Sequence, residues 1–187
     1  LKIILPWDRE IKMKELEKIT LILGGARSGK SRFALTLGEQ VSGRKAFVAT
    51  AEVSDAEMAE RIQRHREARP KTWKTMEEPV FICDLLSAEM KRYQLFLIDC
   101  LTLWLSNLMR KDGSESAILT EVVRLVNFLK TAKASVILVS NEVGSGIVSE
   151  NPLTRRFRDL AGLMNQQVAE VADAVYLVSA GIPLKIK

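Results

Sequence analysis

The sequence predicts an α/β domain: a mostly parallel sheet flanked by helices, closed at one edge by a C-terminal hairpin. Three observations carry that class. Short, β-branched apolar runs ("ITLIL", "KAFVAT", "QLFLID", "SVILVS", "AVYLVS") recur along the chain. Stretches of helical periodicity separate them, as parallel strands covered on both faces require. "AVYLVS" and the final "PLKIK" are joined only by "AGI", far too short for a crossover, so they pair antiparallel.

In chain order, "ITLIL" (19–23) is the first strand and "SRFALTLGEQ" the helix after it. "KAFVAT" (45–50) is the second strand. Residues 54–68 read as a helix opened by a capping box, Ser54 with Glu57, and closed by Pro70. "PVFICDLLSAEMKR" reads as a helix with Pro79 in its tolerant first turn. "QLFLID" (94–99) is a strand ending in Asp99, and "LTLWLSNLM" and "SAILTEVVRLVNFLKTA" are helices. "SVILVS" (135–140) leads into the loop "NEVGSGIVSENP" and a polar-faced helix over 153–172. "AVYLVS" and "PLKIK" complete the sheet. No repeat, low-complexity tract or linker interrupts this pattern, so residues 19–187 read as one domain. Residues 1–18 read as an N-terminal extension or tag: Met13 lies just ahead of the first strand, and removal of the segment before it is expected to be tolerated.

Composition narrows the function. A net charge of +5 points to anionic partners, but no aromatics interleave with the basic residues, which argues against single-stranded nucleic acid. Cys83 and Cys100 are too few and too far apart for a disulfide framework or a zinc site, and reduced thiols in the cytoplasm are expected. No apolar run has the length of a membrane span.

The chemistry concentrates in "GGARSGKS" (24–31), which meets G-x-x-x-x-G-K-[ST] at Gly24, Gly29, Lys30 and Ser31. It follows a strand and opens a helix, the context that a P-loop NTPase domain needs. Glycines let successive N–H groups turn inward on an anion, and the helix start adds unpaired amides. Lys30 can reach the β- and γ-phosphates, and Ser31 can offer its hydroxyl to Mg²⁺. Asp99 reads as the second Mg²⁺ ligand, with an N-cap of the following helix as its structural alternative.

His65 is the only histidine. Helical spacing puts it on one stripe with Met58, Ile62 and Arg69. Arg61, Arg64, Arg66, Arg69 and Lys71 crowd the same eleven residues, an arrangement suited to holding phosphate. An imidazole there can attack an α-phosphorus and expel pyrophosphate. A packed structural histidine is the other reading of the same pattern.

"GGARSGKS", "ATAEVSDAEMAERIQRHREARPKTWKTMEEP", "LIDCLTLWLSN", "VSNEVGSGIVSENPLTRRFRDLAGLMNQQVAEVADAVYLV" and "GIPLKIK" together resemble the bifunctional adenosylcobinamide kinase / adenosylcobinamide-phosphate guanylyltransferase family of cobalamin biosynthesis. The resemblance runs from Ile19 to Lys187. It implies a RecA-like fold, a homotrimer, and two reactions on adenosylcobinamide: phosphorylation by GTP or ATP, then transfer of GMP from GTP through a histidine–GMP intermediate. His65 stands at the nucleophile's position. By the same resemblance Gly24, Gly25, Ala26, Arg27, Ser28, Gly29, Lys30 and Ser31 bind phosphates. Val48, Ala49, Thr50, Arg66, Glu67, Ala68, Arg69, Glu77 and Asp99 line the nucleotide site. Glu77 makes sense as a guanine reader, since a carboxylate accepts from N1–H and the exocyclic amine; either Glu77 or its neighbour Glu78 is then a solvated charge. Two positions depart from the family pattern: Asp99, where Glu also occurs, and Ser149, where proline is expected.

A plain small-molecule kinase with a structural His65 and a DNA-binding RecA-type ATPase are the rival readings. The second needs mobile basic loops and polymer-forming arms, which the chain does not clearly show.

Overall fold

The computed structural model describes residues 17–53, 55–67, 69–111 and 113–187. The elements run β1 (Ile19–Gly24), α1 (Lys30–Glu39), β2 (Lys45–Ala49), α2 (Ala56–Glu67), β3 (Lys74–Glu77), α3 (Ile82–Glu89), β4 (Leu95–Asp99), α4 (Leu101–Lys111), α5 (Glu115–Thr131), β5 (Ser135–Asn141), α6 (Pro152–Val171), β6 (Ala174–Ser179) and β7 (Ile182–Lys185). The seven strands form one sheet in the order β3-β2-β4-β5-β1-β6-β7. Every neighbouring pair is parallel except the β6–β7 hairpin.

Strand residues alternate between two cores. Leu21, Val48, Ile98 and Leu138 pack on the face covered by α3, α4, α5 and α6. Ile22, Phe47, Leu97 and Val139 pack on the other face, under Phe33, Ala34 and Leu37 of α1. Each large side chain buried there stabilises the fold by about 2 kcal/mol. This two-sided burial is why the strands read as unbroken apolar runs rather than alternating ones.

Three sequence expectations need adjustment. β3 was not expected: "KTME" is short, polar and partly exposed at the sheet edge, so it lacks an apolar signature. The helix expected from Pro79 starts at Ile82, because Glu78 Oε1 accepts from the N–H groups of Val80 (3.0 Å) and Phe81 (2.7 Å) and holds Pro79–Phe81 as a bent lead-in. The cap of α2 falls on Asp55, whose carboxylate accepts from Met58 N–H at 2.8 Å. Ser54 lies outside the described residues, as do residues 1–16 and with them the Met13 truncation point. Glu17 and Lys18 already join the domain: Lys18 O accepts from Val136 N–H at 2.8 Å, and Glu17 pairs with Lys185 at 3.5 Å.

The β6–β7 turn reaches the other end of the chain's architecture. Ala180 (φ 49°) and Gly181 (φ 82°) turn left-handed, and Gly181 N–H donates to Ser28 O at 2.8 Å. The hairpin therefore backs the loop between β1 and α1. Among the described residues no helix is long and apolar enough to cross a membrane.

Candidate active site

The loop between β1 and α1 is shaped by close approach. A Cβ on Gly24 would sit 2.4 Å from Val178 O and 2.6 Å from Ser28 Oγ, so only glycine fits there. Arg27 (φ 56°) and Gly29 (φ 97°) are left-handed, which bends the chain back over the start of α1. No side chain caps α1 and its first turn carries no acidic residue, which leaves its opening amides available to an anion.

Lys30 is only 7% exposed, and its Nζ donates to Gly25 O at 2.9 Å. Burial pulls its ammonium below the ordinary lysine range, against the opposing influence of Cys100 and Asp99. A desolvated cation folded onto its own loop is poised to exchange that carbonyl for phosphate oxygen.

Beside the loop opens a cleft of about 470 Å³, a size suited to a nucleotide-scale ligand. Its walls come from residues 26–32, from Phe47 and Ala49 on β2, from Asp99 and Cys100, from Leu103 on α4 and from Asn141 on β5. Met58, Ile62 and His65 of α2 close the far side together with Arg69, which lies past the end of the helix, so the residues expected to share a stripe all face the cleft.

The sheet sets the spacing of the acidic residues. Ala49 of β2 lies in register with Glu77 of β3 on one side and Asp99 of β4 on the other. The two acidic residues thus flank it, about 10 Å apart at two strand spacings. Asp99 lines the cleft. Glu77 lies outside the cleft wall, where its Oε1 accepts from Arg66 Nε at 3.0 Å. Both partners of that ion pair are about half exposed, so it holds geometry more than it stabilises the fold.

Arg69 is the least satisfied group. Its guanidinium lies 4.3 Å from the centre of the Phe47 ring, and its Nε and Nη1 are buried without a hydrogen-bond partner. Burial lowers its pKa, Asp99 and Glu77 raise it, and Arg66 lowers it further. It nevertheless stays charged, so its unpaired donors suit an anionic ligand.

Not every expected residue reaches the cleft. Ala26 to Ser31, Ala49, His65, Arg69 and Asp99 line it. Gly24 shapes the loop from behind, and Gly25 offers its carbonyl to Lys30. Val48 belongs to the core, and Thr50 is a buried clamp: its Oγ1 donates to Cys100 O and accepts from Cys100 N–H, both at 2.8 Å. Glu67 points along α2 to Gln63, at 2.9 Å, and Ala68 lies outside the described residues. Of the surrounding cations whose side chains are described, Arg66 is engaged by Glu77, and Arg69 joins the wall. Glu78 is the structural member of its pair, since its carboxylate serves backbone amides ahead of α3. Phe47, Leu103 and Asn141 were not anticipated; nothing in buried strand and helix runs marks which residue will face a ligand.

As for Mg²⁺, Ser31 and Asp99 share the cleft, and the described residues contain no cluster of three acidic, histidine or cysteine side chains. Two oxygen donors without a protein cage fit Mg²⁺ carried in on phosphates.

A phosphate-cradling loop at the sheet's carboxyl edge, with a lysine and a strand-end aspartate beside it, defines a P-loop nucleotide-dependent enzyme of the RecA-like kind. Solved structures bear out the fold. The chain superposes on the type III secretion ATPase EscN of enteropathogenic E. coli with a TM-score of 0.56 at 10% identity, covering 88% of this chain and 43% of that one. It superposes on the RadB recombinase at 0.52 and 17% identity, covering 85% and 73%. Sequence supplies the particular kind: the chain belongs to the cobinamide kinase / cobinamide phosphate guanyltransferase family, which it matches over residues 20–186. It is 41% identical over 180 residues to the bifunctional adenosylcobalamin biosynthesis protein CobU of Escherichia coli K12, covering 89% of this chain and 98% of that protein. It is 42% identical over 173 residues to CobP of Pseudomonas aeruginosa, covering 89% and 96%.

Proposed function

We propose that this one cleft serves both steps of a transferase in cobalamin biosynthesis: phosphorylation of adenosylcobinamide, then transfer of GMP from GTP to the new phosphate. The observation that carries this reading is that His65, the only histidine, lines the same cleft as the phosphate loop.

In the first step the hydroxyl oxygen of adenosylcobinamide attacks the γ-phosphorus, and the bridging bond breaks toward the nucleoside diphosphate. The loop amides, Lys30 and Arg69 hold the phosphate charge as it redistributes. Ser31 and Asp99 are the residues that would hold Mg²⁺, which would supply neutralising charge to the phosphates.

In the second step a ring nitrogen of His65 attacks the α-phosphorus of GTP and pyrophosphate leaves. A phosphate oxygen of adenosylcobinamide phosphate then attacks that phosphorus, the P–N bond breaks, and adenosylcobinamide-GDP departs. Glu77, steadied by Arg66, reads the guanine edge. For the homotrimer that the family resemblance implies, an interface is suggested by Ile182 and Leu184 of β7 and Ile186 just beyond it, all more than half exposed.

The test uses GTP labelled at either phosphorus. α-Labelled GTP should leave acid-labile, alkali-stable label on the protein without corrinoid, and γ-labelled GTP should leave none. His65→Ala should abolish labelling and GMP transfer while adenosylcobinamide phosphorylation survives. Label retained in that variant overturns the nucleophile assignment.

A further inference from the structure

Between Asp99 and the phosphate loop stands a residue with no role so far. β5 lies between β4 and β1, and its last residue, Asn141, pairs in register with Gly24 at the loop's root. Asn141 also lines the cleft. Its position is fixed from three sides. Its Nδ2 donates to Thr102 Oγ1 at 2.8 Å, its carbonyl accepts from Asn165 Nδ2 at 3.2 Å, and the next amide, Glu142 N–H, donates to Gly24 O at 3.0 Å. Thr102 is itself 3% exposed and rests against Cys100 Sγ at 3.3 Å.

With Nδ2 committed to Thr102, the carboxamide's other end is an acceptor, and no group among the described residues donates to Oδ1. A bare acceptor repels phosphate oxygen but suits a hydroxyl donor. We infer that Asn141 Oδ1 accepts a hydrogen bond from the attacking hydroxyl of adenosylcobinamide and aims its lone pair at the γ-phosphorus. The new O–P bond forms as the bridging P–O bond breaks toward the nucleoside diphosphate, and the hydroxyl proton then leaves its hydrogen bond to Asn141 for an oxygen of the transferred phosphoryl group. A neutral amide cannot take that proton, so Asn141 orients the nucleophile without acting as base. An alcohol aligned in this way reacts as part of one assembly, the effect that makes small misplacements expensive in rate.

This inference rests on the cleft being the kinase site, and the two can fail separately. Phosphorylation of adenosylcobinamide by GTP is measured in wild type, Lys30→Ala, Asn141→Ala, Thr102→Val and Thr102→Ser. The expected result is a kcat at least tenfold lower in Asn141→Ala, with the KM for GTP within about threefold of wild type. The ratio of corrinoid phosphorylation to GMP labelling should fall by the same factor. Thr102→Val should lower kcat in the same direction, and Thr102→Ser, which keeps the hydroxyl, should restore it. Should Asn141→Ala fail to fold, the Thr102 pair carries the test. Wild-type kcat in Asn141→Ala, or equal losses in Thr102→Val and Thr102→Ser, overturns the role of Asn141. Phosphorylation that survives Lys30→Ala overturns the kinase site itself.

Discussion

The phosphate loop and the helix that carries His65 face one another across the cleft, yet they are built in opposite ways. α1 buries Lys30, Phe33, Ala34, Leu37 and Gly38, and the loop before it is pinned by β6 and by the hairpin turn. α2 makes only sparse contacts with any other element, and none of its described side chains is buried. The loop must present many amides to phosphate in fixed positions, so it belongs to the rigid frame. On the proposed function the histidine meets an α-phosphorus and then releases GMP to a bulky acceptor, which a loosely docked helix accommodates.

The largest expected effect falls on the loop side. Lys30→Ala should lower both reactions by roughly 10²–10³-fold, the loss typical of a group that stabilises developing charge. His65→Ala, by contrast, should remove only GMP transfer. Parallel assays of the two activities check this, and a Lys30→Ala enzyme that loses only one of them breaks the idea of a shared loop.

Stability should divide along the same line. Gly24→Ala forces a Cβ against the carbonyl of Val178 and should cost about 1–3 kcal/mol. At this chain length that is a fall of roughly 3–10 °C in Tm. Gln63→Ala on the exposed face of α2 should change stability by less than about 0.5 kcal/mol. Thermal unfolding of the pair reads the difference directly.

Glu77→Gln should reduce preference for GTP over ATP roughly tenfold, or about 1.4 kcal/mol, while Glu78→Gln should leave that preference intact and lower Tm slightly, because its remaining carbonyl oxygen accepts from Val80 and Phe81 N–H without the charge. Competition binding of the two nucleotides checks it.

Thiol chemistry gives the mildest contrast. Burial pushes the Cys100 thiol, beside the loop, up to about 11, and Cys83 likewise to about 11. Both should resist alkylation at pH 8 until the protein unfolds, whereas a thiol introduced by Gln63→Cys should react at once. The linkage has a definite sign. The folded thiols hold protons that the unfolded chain releases near pH 9, so their contribution makes stability fall as pH rises from about 9 to about 11.

The same contrast governs how much could be read from residues alone. The loop was legible because its requirements are local: glycine where backbone closes in, lysine and serine at the helix start. The stripe was legible because helical spacing puts Met58, Ile62 and His65 on one wall, which Arg69 joins from the segment beyond α2. Asn141 was not, because its place depends on β5 lying between β4 and β1, and strand order does not show in a strand's own composition. β3 was missed for the opposite reason: an edge strand needs little apolar side chain to pair. Glu77 and Glu78 look alike in sequence, and only the amides ahead of α3 tell them apart.

The turn at Ala180–Gly181 has a consequence for synthesis. Gly181 follows Gly29 by 152 residues, and β1 finds its sheet partners only in β5 and β6. While the ribosome is still making the middle of this chain, the glycine loop has emerged but has neither strand beside it nor hairpin behind it. Until β6 and the hairpin have been made, the nascent polypeptide has no finished phosphate cradle, so nucleotide capture waits on residues about 150 positions beyond the glycine loop.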